Sequence, residues 1–384
     1  MFTAYTEPIK IAIIVFPFLA LLISLPFFIL QYRKYGRFLF IRAVVLYSFV
    51  FYLLCSYFLA ILPLPSREAV AQLTTPKYEL MLGKSLQDFL AQTVWRPTDI
   101  HTYLPALKQS VTLEPLFNLL FFFPLGVYLR YYFRFSLKKV VLISFLWSLF
   151  FETTQLTGLY FIYPRPYRLF DVNDLLHNTL GGVIGYFSAP LVMILFPTRK
   201  EMDQKSKELG NIVTYPRRFI AFLIDWGIIY IVRTVLAVFL HVLHLTANES
   251  WTTSYWTYLI TIIIYFIGCT YVTKGYTIGK KLVKIRVVDT TGEAPSFKDC
   301  LVRYGLLYGI YGSLAQVLVL LNPYIPTSEG MALVILLMLT LFLFLLQALF
   351  IGSIAWAIFK KERRLFYEKK SQTSEISMTN SETK

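Results

Sequence analysis

Apolar runs close to the length of a membrane span recur along this chain, separated by short charged segments. "IKIAIIVFPFLALLISLPFFIL" and "MALVILLMLTLFLFLLQALFIGSIAWAIF" carry almost no charge. About 20 such residues cross the hydrocarbon core as a helix. The pattern predicts nine spans, at 9–30, 41–64, 116–129, 140–158, 175–196, 219–243, 255–273, 304–321 and 332–359. Alternating segments of about 10 residues, the mark of a membrane barrel, are absent. The expected fold class is all-α: a polytopic helical membrane protein in two bundles. The first run is too long for a signal core and lacks a small-residue cleavage site, so it is expected to stay in the mature protein.

The polar punctuation suggests a division. Residues 1–196 hold five spans and one long loop, 65–115, with a helical pattern in "YELMLGKSLQDFLAQTV". Residues 197–214 read as a charged linker broken by Gly, and 215–359 hold four spans. The tail, 360–384, is basic at first; its end, "SQTSEISMTNSETK", lacks an apolar period and is expected to be disordered. No repeat at a fixed period is present. The unequal span numbers of the halves speak against an inverted-repeat transporter.

Composition sharpens this picture. The 384 residues are 57% hydrophobic and only 15% charged, with a net charge of +15; soluble domains carry about 25% charged residues. If the N-terminus is outside, the five cytoplasmic segments hold 28 of the 37 lysines and arginines. That bias is the positive-inside rule. It predicts a cytoplasmic C-terminus and contact with anionic lipid headgroups, worth about 1 kcal/mol per basic residue, and makes nucleic acid a poor partner. Cys55, Cys269 and Cys300 show neither a CxxC pair nor metal spacing and read as small buried side chains. Nothing in the sequence requires a metal or cofactor.

Chemistry concentrates at "FDVNDLLHNTLGG", residues 170–182, which opens the fifth span. Glu152 lies about twelve residues up the fourth span, with Gln155 three residues further on the same face. Asn118 lies early in the third span. Asp171, Asp174, His177 and Asn178 lie in or just before the first turns of the fifth, with Arg165 and Arg168 in the loop before it. The topology stacks Asn118, Glu152, Gln155, Asp174, His177 and Asn178 at a similar depth just beneath the outer surface, with Arg165 and Arg168 above them. An acid inside a span costs about 2.5–3.5 kcal/mol and usually faces the bundle interior. Glu152 is therefore expected to be protonated or paired with Arg165 or Arg168. Asp171 or Asn173 could also simply cap the fifth span, and Gly181, Gly182 and Gly185 would let a neighbouring helix approach.

In the second half, Arg218 and Asp225 share a helix face and are expected to pair. Arg233 lies deeper, within reach of Asp225 or of an acid on another span. His241 and His244 read as interfacial or packing residues rather than metal ligands. "VKIRVV" reads as a short strand and "DTTGE" as a turn. "GYTIGKK" lacks the spacing of a P-loop.

"EPLFNLLFFFPLGVYLRYYF", "SLFFETTQL" and "RLFDVNDLLHNTLGGVIGY" resemble the signature of the VanZ-like family over roughly 40–196. Asn118, Pro124 and Gly126 match its first block, and Glu152 and Gln155 its second. Arg168, Asp171, Asp174, Asn178, Thr179 and Gly181 match its third. His177 is not part of that pattern. The resemblance implies an envelope protein of the class associated with reduced susceptibility to teicoplanin. The second half is similar to the RDD family from about 215 to 320 or further: Arg218, Ala221, Ile224 and Asp225, then Gly275, Thr277, Gly279 and Lys280, then Val287, Val288, Asp289, Gly292 and Arg303. That resemblance implies a loose link to transport.

Three function classes follow. The first is an outer polar pocket for a lipid headgroup, a lipid-linked cell-wall precursor or an amphiphilic glycopeptide. The second is an enzyme on an exterior lipid-linked substrate, with Glu152 or Asp174 as acid or base and His177 as partner; Asp171 and Asp174 would there hold Mg²⁺ on a diphosphate. The third is a transporter using Asp225 and Arg233.

Overall fold

The computed structural model describes residues 3–242 and 251–379. Eight helices among them are long and apolar enough to cross a membrane: Thr6–Tyr35, Phe40–Ile61, Ser110–Tyr131, Leu137–Leu156, Val172–Leu195, Tyr255–Val272, Phe297–Tyr324 and Gly330–Phe359. They coincide with eight of the nine expected spans. The remaining one, 219–243, lies on a helix of 28 residues, Tyr215–Val242, which carries Asp225 and Arg233 within its apolar run. The protein is an all-α, multi-pass membrane protein. The reading of His241 and His244 falls outside the described side chains.

The chain forms two compact units, one of residues 1–24 with 39–204 and the other of 25–38 with 205–384. In the first, helices Ser110–Tyr131 and Val172–Leu195 pack backbone to backbone. A Cβ on Gly126 would meet the Gly182 carbonyl oxygen at 1.9 Å, one on Gly181 the Leu119 oxygen at 2.2 Å, and one on Gly185 the Phe123 oxygen at 2.0 Å. Small residues are what permits such approach in lipid, where van der Waals contact replaces the hydrophobic drive. Phe122, Leu125, Leu129, Val140 and Phe151 are buried beside this seam.

The long loop 65–115 is not a structureless excursion. It holds helices Arg67–Ala71, Lys84–Gln92 and Tyr103–Leu107, and Tyr78–Glu79 pairs in parallel with Phe170–Asp171. Gly83, at φ +84°, turns the chain into helix Lys84–Gln92, a conformation that L side chains rarely adopt. Its N–H donates to Asn173 Oδ1 at 2.8 Å.

The linker is largely helical, Arg199–Leu209, and is tethered to the first unit: Met202 is buried with Val45, Tyr131 and Tyr132, and Arg42 pairs with Asp203 at 2.5 Å.

In the second unit, Phe266, Tyr304, Tyr308, Tyr258 and Ile262 form an aromatic core. Two π-helical stretches, Ile262–Cys269 and Gly305–Gly312, interrupt the spans around it, and such bulges recur at functional sites. The tail departs from expectation. Helix Phe366–Lys370 and strand Ser374–Ser377 are ordered, the strand pairing antiparallel with Ile285–Val288. Polarity alone suggested disorder; what fixes the segment is charge complementarity and a strand edge, neither visible within the tail itself.

Candidate functional site

The first unit holds a partly open cavity of about 1030 Å³ between helices 110–131, 137–156 and 172–195 and the segments beside them. Asn118, Glu152, Gln155, Arg168, Asp174 and Asn178 line it, alongside apolar residues such as Leu113, Phe117 and Leu120. The helix seam places these side chains. Ser144, Ser148, Glu152 and Gln155 are all buried and follow one another at intervals of four, four and three, so they form a polar stripe on one helix face.

Each polar group is held separately. Asn118 Nδ2 donates to Asp174 Oδ1 at 2.6 Å, and Asn178 Nδ2 to Ser148 Oγ at 2.9 Å. Gln155 Nε2 donates to the Ala60 carbonyl at 2.8 Å. Glu152 is 4% exposed, and its Oε2 accepts the Asp171 backbone N–H at 3.0 Å. The expected ion pair is not made. Arg168 donates to the Ala60 and Leu62 carbonyls at 3.1 and 2.8 Å, and Arg165 to the Thr75 carbonyl at 2.5 Å. Helix 40–61 ends at Ile61, where its last carbonyls lack intrahelical donors and take the Arg168 guanidinium, while the loop carbonyl of Thr75 holds Arg165.

Two of the expected site residues lie outside the lining. Asp171 caps the fifth span, its Oδ1 accepting the Asn173 N–H at 2.7 Å. His177 faces the loop, with Nε2 3.4 Å from Ser85 Oγ. Asn173, 1% exposed, clamps that loop by donating to the Met81 carbonyl and accepting from Gly83 N–H. Ser148 and this clamping role of Asn173 escaped sequence reasoning. The four-residue spacing from Ser148 to Glu152 was the available signal for the first; the second needed the loop's position.

The second unit gathers its charges differently. Asp225, 1% exposed, does not pair with Arg218 or Arg233. Its Oδ1 accepts Tyr265 O–H at 2.6 Å and Gly279 N–H at 2.7 Å, and its Oδ2 accepts Thr277 O–H at 2.6 Å. Neutral donors thus satisfy the carboxylate and tie helix 215–242 to the Gly279 turn. A Cβ on Gly279 would meet the Ala221 oxygen at 2.2 Å, so glycine is required there. Arg233 donates to Thr257 Oγ1 at 3.2 Å. Asp289 closes the expected turn, its Oδ1 accepting from Thr291 and Glu293 N–H.

Arg218 and Arg303 turn instead to the tail. Arg303 contacts Glu368 Oε1 at 2.8 Å and Glu375 Oε1 at 2.7 Å, and Arg218 contacts Glu368 Oε2 at 2.9 Å. Arg218 Nε lies 2.9 Å from Glu375 Oε2, a charge contact without hydrogen-bond alignment. Lys280 Nζ is 3.6 Å from Glu375 Oε1. These cations hold the Glu375 carboxyl down at about 2 against the desolvation that would raise it. Arg217, fully buried, donates instead to the carbonyls of Gly36, Gly210, Val283 and Lys284 and to the hydroxyls of Ser377 and Thr379. Arg217, Glu368 and Glu375 were missed because their partners are distant in sequence.

The VanZ/LLP1 family model matches residues 49–196, and the RDD family model matches residues 213–369. No curated protein and no solved structure matches the chain. This polypeptide joins an N-terminal half similar to the VanZ/LLP1 family, the VanZ-like half, to a C-terminal half similar to the RDD family, the RDD half.

Proposed function

We propose that the VanZ-like half holds the polar head of an outer-leaflet amphiphile: a lipid headgroup, a lipid-linked cell-wall precursor or an amphiphilic glycopeptide of the teicoplanin type. One observation carries this reading. Side chains from three spans, Asn118, Glu152, Gln155, Asp174 and Asn178, share one cavity with an apolar wall. Ligand sites pair a few placed polar groups with a largely apolar lining in this way. Asn178 Oδ1 is buried without a hydrogen-bond partner among the described residues, an acceptor that a hydroxyl or amine would satisfy. With the N-terminus outside, as the charge bias favours, the cavity belongs to the outer leaflet and the tail would lie along Leu113, Phe117 and Leu120.

The enzymatic alternative has less support. Asp174 is engaged by Asn118 and His177 faces Ser85, so no acid–base pair is assembled. Asp171 lies outside the lining of the cavity that Asp174 faces. The transporter reading is weakened by Asp225, which does not line the cavity of about 990 Å³ in its unit.

Glu152→Gln tests the proposal. The amide oxygen still accepts the Asp171 N–H, so insertion and expression should hold while teicoplanin tolerance falls in a susceptibility assay at matched protein level. Unchanged tolerance would remove Glu152 from the site.

A further inference from the structure

The RDD half contains a second cavity, of about 990 Å³, that the reading above does not use. Most of its wall is apolar or aromatic: Phe219, Phe222, Trp226, Tyr308, Phe350 and Ile351 are among the lining residues. Its charged lining residues are Arg218, Lys280, Arg303 and Glu375, three cations against one anion. Glu368 and Asp225, which balance the cluster, lie outside the lining. The cations are not equally engaged. Arg303 and Arg218 each hold a carboxylate oxygen at hydrogen-bond distance, whereas Lys280 Nζ has Glu375 only at 3.6 Å. Lys280 also sits 5.7 Å from the centre of the Tyr304 ring, an apolar face that cannot accept a strong hydrogen bond from its ammonium. Gln347 also lines the cavity, and its Oε1 is buried without a partner among the described residues.

We infer that this cavity binds an acidic amphiphile, its acyl chain among the aromatic rings and its phosphate or carboxylate head at Lys280. The volume suits one such molecule, since ligand cavities run to about 300–1,000 Å³. The head gains a charge-assisted hydrogen bond from an ammonium whose nearest carboxylate oxygen is 3.6 Å away, and a zwitterionic head would bring a further cation beside Lys280 and Arg303. The tail of the protein supplies part of the wall, through Leu365, Tyr367 and Glu375, so the ordered tail is part of the binding site.

Native mass spectrometry of the full chain in detergent, titrated separately with dioleoyl phosphatidic acid, dioleoyl phosphatidylcholine and inorganic phosphate, tests this. Phosphatidic acid should bind about tenfold more tightly than phosphatidylcholine. A tail-labelled photoactivatable phosphatidic acid should crosslink within residues 347–354. Lys280→Gln should abolish the preference for the acidic head. Should that buried substitution impair folding, Ile351→Trp fills the cavity from a lipid-exposed helix without touching the ion network, and should cut acidic-lipid binding about tenfold. Equal binding of the two lipids, competition by inorganic phosphate alone, or an Ile351→Trp protein that binds and crosslinks as before would each overturn the inference.

Discussion

The charged groups that line the two cavities are balanced differently, although Asp225 and Arg217 in the RDD half also meet neutral partners and Arg42 in the first unit pairs with Asp203. In the VanZ-like half, Glu152, Asp174 and Arg168 each meet a neutral partner: a backbone N–H, an amide and two carbonyls. In the RDD half, Arg218 and Arg303 are bound by Glu368 and Glu375 in a closed ionic lattice. Glu152, with a single backbone donor assigned, keeps capacity for a further partner, and that suits a site meant to take a ligand. Cross-neutralised ions leave little capacity and fix geometry instead. Removing one member leaves the others buried and uncompensated, which costs more than the pair contributed. Lys280, loosely held at the edge of the lattice, is the exception on which the second binding site rests.

This contrast can be broken by experiment, beginning with the largest effect. Arg303→Met leaves Glu368 and Glu375, both buried, to share Arg218 and Lys280 and should destabilise the RDD half by about 3–5 kcal/mol, read by denaturant unfolding in detergent micelles. A loss under about 1 kcal/mol would mean that the lattice is not the fastening it resembles. Gly126→Ala forces a Cβ against the Gly182 carbonyl and should cost about 1–3 kcal/mol, measured by thermal unfolding. The loss should fall on the VanZ-like half, whose seam it opens.

Acid should act on the tail next. Glu375 has its pKa held near 2 in the fold, below its ordinary 4.5. Its contribution is therefore complete above pH 4.5 and is lost as the pH falls toward 2. Amide exchange at residues 374–377, corrected for its intrinsic pH dependence, should accelerate across that window, and Glu375→Gln should flatten the response. Smallest of all is the effect of Glu152→Gln on stability, expected below about 1 kcal/mol because its one assigned acceptor survives. A larger loss would show that Glu152 holds the bundle together rather than facing a ligand.

Some of the site was legible because helical periodicity is local. Asn118, Glu152, Gln155, Asp174 and Asn178 could be set at one depth by counting residues from each span's end, and all five line the cavity. Arg168 joins them, but as a clamp on the end of helix 40–61. The same counting failed for ion pairs. Arg218 shares a helix face with Asp225, yet carboxylates some 150 residues away reach it. Asp225 in turn was claimed by Thr277 and Gly279, whose turn folds back onto helix 215–242.

What the sequence by itself determined is the membrane habit: long apolar runs must become helices in lipid, since their backbone groups have no other hydrogen-bond partners there. It also determined where intramembrane polar groups sit along each helix. The tertiary structure alone decided which of them meet. Partnership depends on the approach of distant segments: the glycine seam at Gly126 and Gly182, the clamp of Asn173 on the loop, and the docking of the tail on Arg218 and Arg303. Those contacts are set by shape and charge complementarity between segments far apart in the chain, which no local pattern encodes.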